Sequence, residues 1–431
     1  MKVNTMKFFT LLTFMFLSST FSVLSAQYED VFFEDYVYTT NIKSVQFHPA
    51  GEPLMPPIVN LNDPRGFAFS FDDTDNVQRD YSYEILHLNK DWTEISSLEI
   101  LEYIDGFQNE EIDESNPSIN TFVPYINYSL DLPNDDLSWL ISGNYLLIVY
   151  EGNEEDDRLP VITRRFMVVD RQVNVITKQR RPREVSRIRT HQEFDVFVNY
   201  EDFNIIDPAR NITVEIMQNG RSDLSIKNMK PLVVIGNIMT IDNTGLISFP
   251  ANKEYRQFDI RSLDYPGIGV NSIDLKSFGT DVLLDLGAKR NSEIYLSAQD
   301  ANGRFVIENK DVGSDDLHGD YANVIFSLKS SELDEDIYVM GNFTDYQPDE
   351  MYRMIYDEAR GIYLCEIDLK QGYYNYFFGT EKDSLLDPTP LEGSWNETEN
   401  DYQVLVYLRE PGDRYDRLIG FHMFNSNINS F

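Results

Sequence analysis

Apolar and polar positions along this chain change over in short runs, separated by turn residues. The runs include FAFSF (67–71), YSYEIL (81–86), YLLIVY (145–150), RRFMVV (164–169), FDVFVNY (194–200) and ITVEIM (212–217). VLLDL (282–286), EIYLSAQD (293–300), NVIFSL (323–328), DIYVMG (336–341), YLCEIDL (363–369) and YQVLVYL (402–408) continue the pattern. Rich in β-branched and aromatic residues and rarely longer than eight, such runs predict strands of β-sandwiches, not a parallel α/β sheet. Ser142-Gly143-Asn144, Asn219-Gly220, Asn302-Gly303 and Gln371-Gly372 supply turn chemistry between them. Helical spacing is confined to Leu98–Tyr103. The predicted class is all-β.

Length and charge narrow this picture. A chain of 431 residues suits two to four domains, and 42% hydrophobic content makes it globular. Its 36 basic and 72 acidic residues leave a formal charge of −36, which argues against nucleic acid and against anionic lipid headgroups. The single cysteine, Cys365, excludes an intrachain disulfide framework or a cysteine-rich metal centre.

The first 26 residues read as a secretory signal. Lys2 and Lys7 precede the apolar run Phe8–Leu17, and small residues lead to an expected cleavage after Ala26, with Ser25 as the second choice. No cysteine follows the apolar run to carry a lipid, and no other stretch is long enough to insert into a membrane. The mature chain would have about 405 residues and a charge near −38, two lysines having gone with the signal.

Composition then divides the rest. Residues 27–170 carry 7 basic and 29 acidic residues, whereas 178–189 (KQRRPREVSRIR) hold six basic residues in twelve positions. The expected domains are an acidic β-sandwich at 27–170, a middle β-sandwich at 171–330 and a C-terminal sandwich at 331–431.

Catalytic signatures are lacking: no phosphate-binding loop, dinucleotide fingerprint, H-E-x-x-H or G-x-S-x-G occurs. No catalytic residue, cofactor or metal is expected. The acidic clusters Asp72-Asp73-Thr74-Asp75-Asn76 and Glu154-Glu155-Asp156-Asp157 read as solvated hairpin tips rather than calcium loops, since neither has the closing Glu. Cys365 alternates with Tyr363 and Ile367 and reads as core; His87 reads as structural. Arg180, Arg181, Arg183, Arg187 and Arg189 admit two readings: docking of an acidic partner, or neutralisation of the acidic first domain.

Two resemblances add to this. Gly341-Asn342-Phe343, Met354, Gly361-Ile362-Tyr363 and Gln371–Tyr376 resemble early-set immunoglobulin-like modules found beside glycogen-active enzymes. Starch-binding members carry an exposed Trp where Tyr346 stands here. YSYEILHLNKDW (81–92), EYIDGF (102–107), NTFVPYINYSLDLPN (120–134), ISGNYLLIVYEG (141–152) and TRRFMVVD (163–170) resemble an exported Bacteroidetes family once catalogued as a domain of unknown function. That family includes the plug of the type IX secretion system. The resemblance implies a non-enzymatic periplasmic protein bound peripherally at the outer membrane, sealing the mouth of a giant β-barrel translocon. The competing expectation is a periplasmic glycan binder using surface aromatics such as Tyr346, Tyr373 and Trp395.

Overall fold

The computed structural model describes residue 28 and residues 30–152, 158–313, 316–382 and 385–427. The expected signal, residues 1–26, and the acidic cluster 154–157 lie outside the described residues. The architecture is all-β and built from immunoglobulin-like sandwiches.

In the first sandwich, one sheet orders the strands Tyr36–Val37, Leu159–Val169, Gly143–Glu151, Tyr81–Leu88 and Asn109–Glu111. The facing sheet orders Ile42–Pro49, Phe67–Asp73, Ile126–Leu132 and Glu114–Pro117. The alternation in FAFSF sends Phe67, Phe69 and Phe71 into the space between the sheets. There the Phe67 ring lies edge-on to Phe166 at 5.1 Å and to Trp139 at 6.2 Å. The helical spacing at 98–103 becomes a single turn, Ile100–Tyr103, closed by reciprocal capping between Glu99 and Glu102.

The second sandwich pairs the sheet Asn174–Arg180, His191–Asn199, Ile238–Asp242 and Val233–Ile235 with the sheet Arg221–Met229, Ile212–Gln218, Asp401–Leu408 and Arg417–Asn425. The third contains Arg256–Asp259, Gly372–Lys382 and Phe305–Ile307 in one sheet, and Val270–Lys276, Gly279–Leu284, Tyr321–Lys329, Ile362–Lys370 and Ile355–Asp357 in the other.

This pairing corrects the expected cut near 330. Tyr321–Lys329 and Ile362–Lys370 lie on opposite sides of that cut yet are paired along nine residues. Asp401–Leu408, expected in the C-terminal sandwich, runs beside Ile212–Gln218 of the middle one. The third sandwich is therefore inserted between the early and late strands of the second. Strand partners are chosen by tertiary packing, which local composition does not record. EIYLSAQD (293–300) also departs from expectation, for it pairs in no sheet and leaves Ile294 and Leu296 exposed.

Two strands of the first sandwich are apolar on both faces for a physical reason. Tyr83, Ile85, Tyr145 and Leu147 point into the first core. Their neighbours Leu86, Leu88, Leu146 and Ile148 point outward, where they pack on Met217, Leu405, Tyr407 and Leu418 of the second sandwich. Each such side chain contributes about 1.5–3 kcal/mol on burial, so this second cluster welds the two sandwiches face to face.

Candidate functional site

The basic segment lies on the second sandwich, at the edge strand Asn174–Arg180 and the loop after it. Lys178, Arg180, Arg181, Arg183, Arg187 and Arg189 are all exposed. Register sets Arg180 opposite Glu193 and Lys178 opposite Asp195 on the neighbouring strand. Arg180 Nε donates to Asp195 Oδ2 at 2.7 Å, and the Arg183 backbone N–H donates to Glu193 Oε2 at 2.9 Å. Arg187 pairs locally with Glu184 at 2.9 Å. Lys178, Arg181 and Arg189 form no ion pair among the described residues. The ion pairs that form stay within the second sandwich rather than reaching the acidic first one.

An apolar row continues this face. Ile176, Phe197, Thr240 and Val233 stand side by side across four strands, with Ile238 and Ile235 in the next row. Ile176, Val233, Ile235 and Ile238 are exposed. One sheet face therefore offers an apolar patch bordered by a basic edge, in a chain that is otherwise strongly acidic. No motif signals the patch, because its members come from four strands.

Other candidates resolve into structure. Asp72 and Asp73, read as a solvated tip, are fully buried. Asp72 accepts from Lys370 Nζ at 2.8 Å, Tyr321 Oη at 2.7 Å and Asn127 Nδ2 at 2.8 Å. Asp73 is held by Arg79, Tyr81 and Asn41. That tip is thus a joint between the first and third sandwiches, which Asp320 extends by accepting from the backbone of Phe122 and Val123 at 2.7 and 3.0 Å. Arg164 of the first sandwich also meets Asp345 of the third at 3.1 Å, where burial pushes the Asp345 carboxyl up to about 6.

Cys365 sits in the third core, its thiol pushed up to about 12 by burial. His87 is buried between Tyr103, Tyr145 and Tyr415, and burial lowers it to about 4. Among the described residues no group of three or more His, Cys, Asp or Glu is placed to hold a metal. The aromatics named for glycan are dispersed: Tyr346 lies under Arg221, Tyr373 under Arg261 and Trp395 under Lys253.

Residues 42–170 match the family model described as "Type 9 secretion system plug protein 1st domain". A crystal structure of a hypothetical protein from Parabacteroides merdae ATCC 43184 is similar over 92% of this chain and 100% of its own, at 32% identity and a TM-score of 0.86. Residues 42–170 are thus identified as the first domain of a type 9 secretion system plug protein. No curated protein matches the chain significantly. The plug-domain match associates the chain with the type 9 secretion system. The match covers the first sandwich, whose two-faced sheet and Asp72 joint hold the other two in place.

Proposed function

We propose that this protein closes the periplasmic mouth of the type 9 translocon, an outer-membrane β-barrel, when no substrate is passing, and catalyses no reaction. The observation that carries this reading is the plug first domain at 42–170. Its physical support is the fastening of that domain to the other two sandwiches by buried contacts, which suits a stopper that must resist deformation. We assign the docking edge to Arg180, Arg181, Arg183, Arg187 and Arg189, with the apolar row from Ile176 to Val233 beside it. Acidic groups on the barrel's periplasmic rim would meet the arginines, and the acidic surplus of the rest of the chain would discourage other contacts with acidic surfaces.

Affinity purification of the tagged chain from detergent-solubilised outer membranes tests the proposal. The expected result is recovery of a very large β-barrel protein in stoichiometric amount, lost as ionic strength rises. Recovery of the chain without any barrel partner from membranes that contain the translocon would reject it.

A further inference from the structure

A cavity of about 440 Å³ lies where the three sandwiches meet. Its floor is the outward face of the second sandwich, carrying Met217, Gln403 and Leu405. Arg164 and Arg165 come from the first sandwich, Arg304 and Phe305 from the third. Exposed Met55 and Lys227 lie at its rim.

Five basic side chains line the cavity together with the acids Glu34, Asp35, Glu215, Asp223 and Asp345, and three of the arginines are in ion pairs. Arg164 pairs with Asp345 at 3.1 Å, and Arg165 donates to Phe33 O at 2.6 Å and stacks over Trp92. Arg221 Nε donates to Asp223 at 3.1 Å and Nη2 to Leu386 O at 3.0 Å, while the guanidinium covers Tyr346. Arg304 Nη1 donates to Asp401 at 2.9 Å.

Four buried polar atoms keep no partner among the described residues: Arg221 Nη1, Arg304 Nη2, and both Nε2 and Oε1 of Gln403. Gln403 is 1% exposed and Arg221 4%. Buried polar groups normally find partners, so orphans on residues that line one cavity point to a ligand. They are also close in the fold. Gly220, beside Arg221, has its Cβ direction 3.8 Å from Gln403 Nε2, and Asp401, which holds Arg304, lies two residues before Gln403 on the same strand face.

We propose that this cavity binds a carboxylate with an adjacent amide, the chemistry of an N-acylamino acid or of a peptide's C-terminal residue. Two guanidinium N–H groups suit carboxylate oxygens. The Gln403 side chain, one donor and one acceptor, matches the C=O and N–H of an amide. Met217, Leu405, Phe305 and Trp92 suit an apolar side chain. Because its groups come from different sandwiches, the ligand would brace their junction. This site is distinct from the docking edge, and its test needs no barrel.

Calorimetric titration of the purified mature chain uses N-acetyl-leucine, an acetylated tetrapeptide ending in Leu, and the C-terminal amide of each. The expected result is saturable binding of N-acetyl-leucine tighter than about 1 mM, at least tenfold tighter than its amide. Binding of the tetrapeptide as well would identify a chain end as the natural source, and its failure a free acylamino acid. Gln403→Leu and Arg304→Lys should each weaken binding about tenfold or more. Gln403→Leu should melt no lower than wild type, since it removes two unpaired buried atoms, which separates lost binding from lost fold. Equal affinity for acid and amide, no saturation, or unaltered binding by a folded Gln403→Leu would overturn the proposal.

Discussion

Lys370 Nζ and Asp72 Oδ2 lie 2.8 Å apart with both side chains almost wholly removed from solvent. They belong to different sandwiches, and Lys370 also sits 4.1 Å over the Tyr125 ring of the first. A buried pair of this kind gains little over an apolar pair of the same shape, yet losing one partner leaves a charge stranded. Its value is geometric: it admits one register between the two sandwiches.

Lys370→Met should therefore destabilise the chain by about 3 kcal/mol, because the Asp72 carboxylate stays buried with only neutral donors. Lys370→Met combined with Asp72→Asn should recover more than half of that loss. Urea unfolding followed by tryptophan fluorescence measures both. A single variant as stable as wild type would show that solvent reaches Asp72.

The residues that make this joint were legible only as a cluster of acids. Asp72-Asp73-Thr74-Asp75-Asn76 has the composition of an exposed turn, and its burial depends on Lys370 and Tyr321, about 250 to 300 residues later. Strand character, by contrast, is local. FAFSF and YQVLVYL announce strands through β-branched and aromatic content wherever their partners lie. The return of Asp401–Leu408 to the middle sandwich was invisible for the same reason that the strand itself was not. EIYLSAQD shows the limit of local pattern, because its apolar and aromatic content matches a strand yet it pairs in no sheet. The cavity left one trace, a polar Gln403 interrupting an apolar run.

His87 should make stability fall in acid. Burial lowers its folded value to about 4 from the ordinary 6.5, so the unfolded chain binds the extra proton first as pH drops. The contribution is fully present above pH 6.5 and is lost progressively down to about 4, amounting to about 3 kcal/mol. Buried carboxyls such as Asp345 act in the opposite sense, so the difference between wild type and His87→Leu isolates the effect. That difference should shrink steadily between pH 7 and 4.5. A difference independent of pH would refute the assignment.

Gly143 is required by the same histidine. It adopts φ +153°, and a Cβ there would lie 2.3 Å from His87 Nε2. Gly143→Ala should cost about 2 kcal/mol or more, from strain and from displacing a packed ring. Part of that cost should vanish when His87 is already Ala, so the double variant should be more stable than the sum of single losses predicts. Strict additivity in thermal melts would mean that backbone strain alone is responsible.

The basic edge separates into two kinds of arginine, and charge reversal can tell them apart. Arg181 and Arg189 are exposed and form no ion pair among the described residues, so Arg181→Glu with Arg189→Glu should leave melting unchanged while weakening barrel association about tenfold. Arg180 is different, because Asp195 beside it is only 4% exposed. Arg180→Glu would set a second carboxylate against that one, costing about 1 kcal/mol even after allowing for the half-exposed arginine. Paired measurements of melting and barrel recovery on these variants decide the matter. Loss of melting temperature in the Arg181 and Arg189 pair would make the run a structural element of the second sandwich. Unchanged recovery in that pair, with the fold intact, would place the docking edge elsewhere.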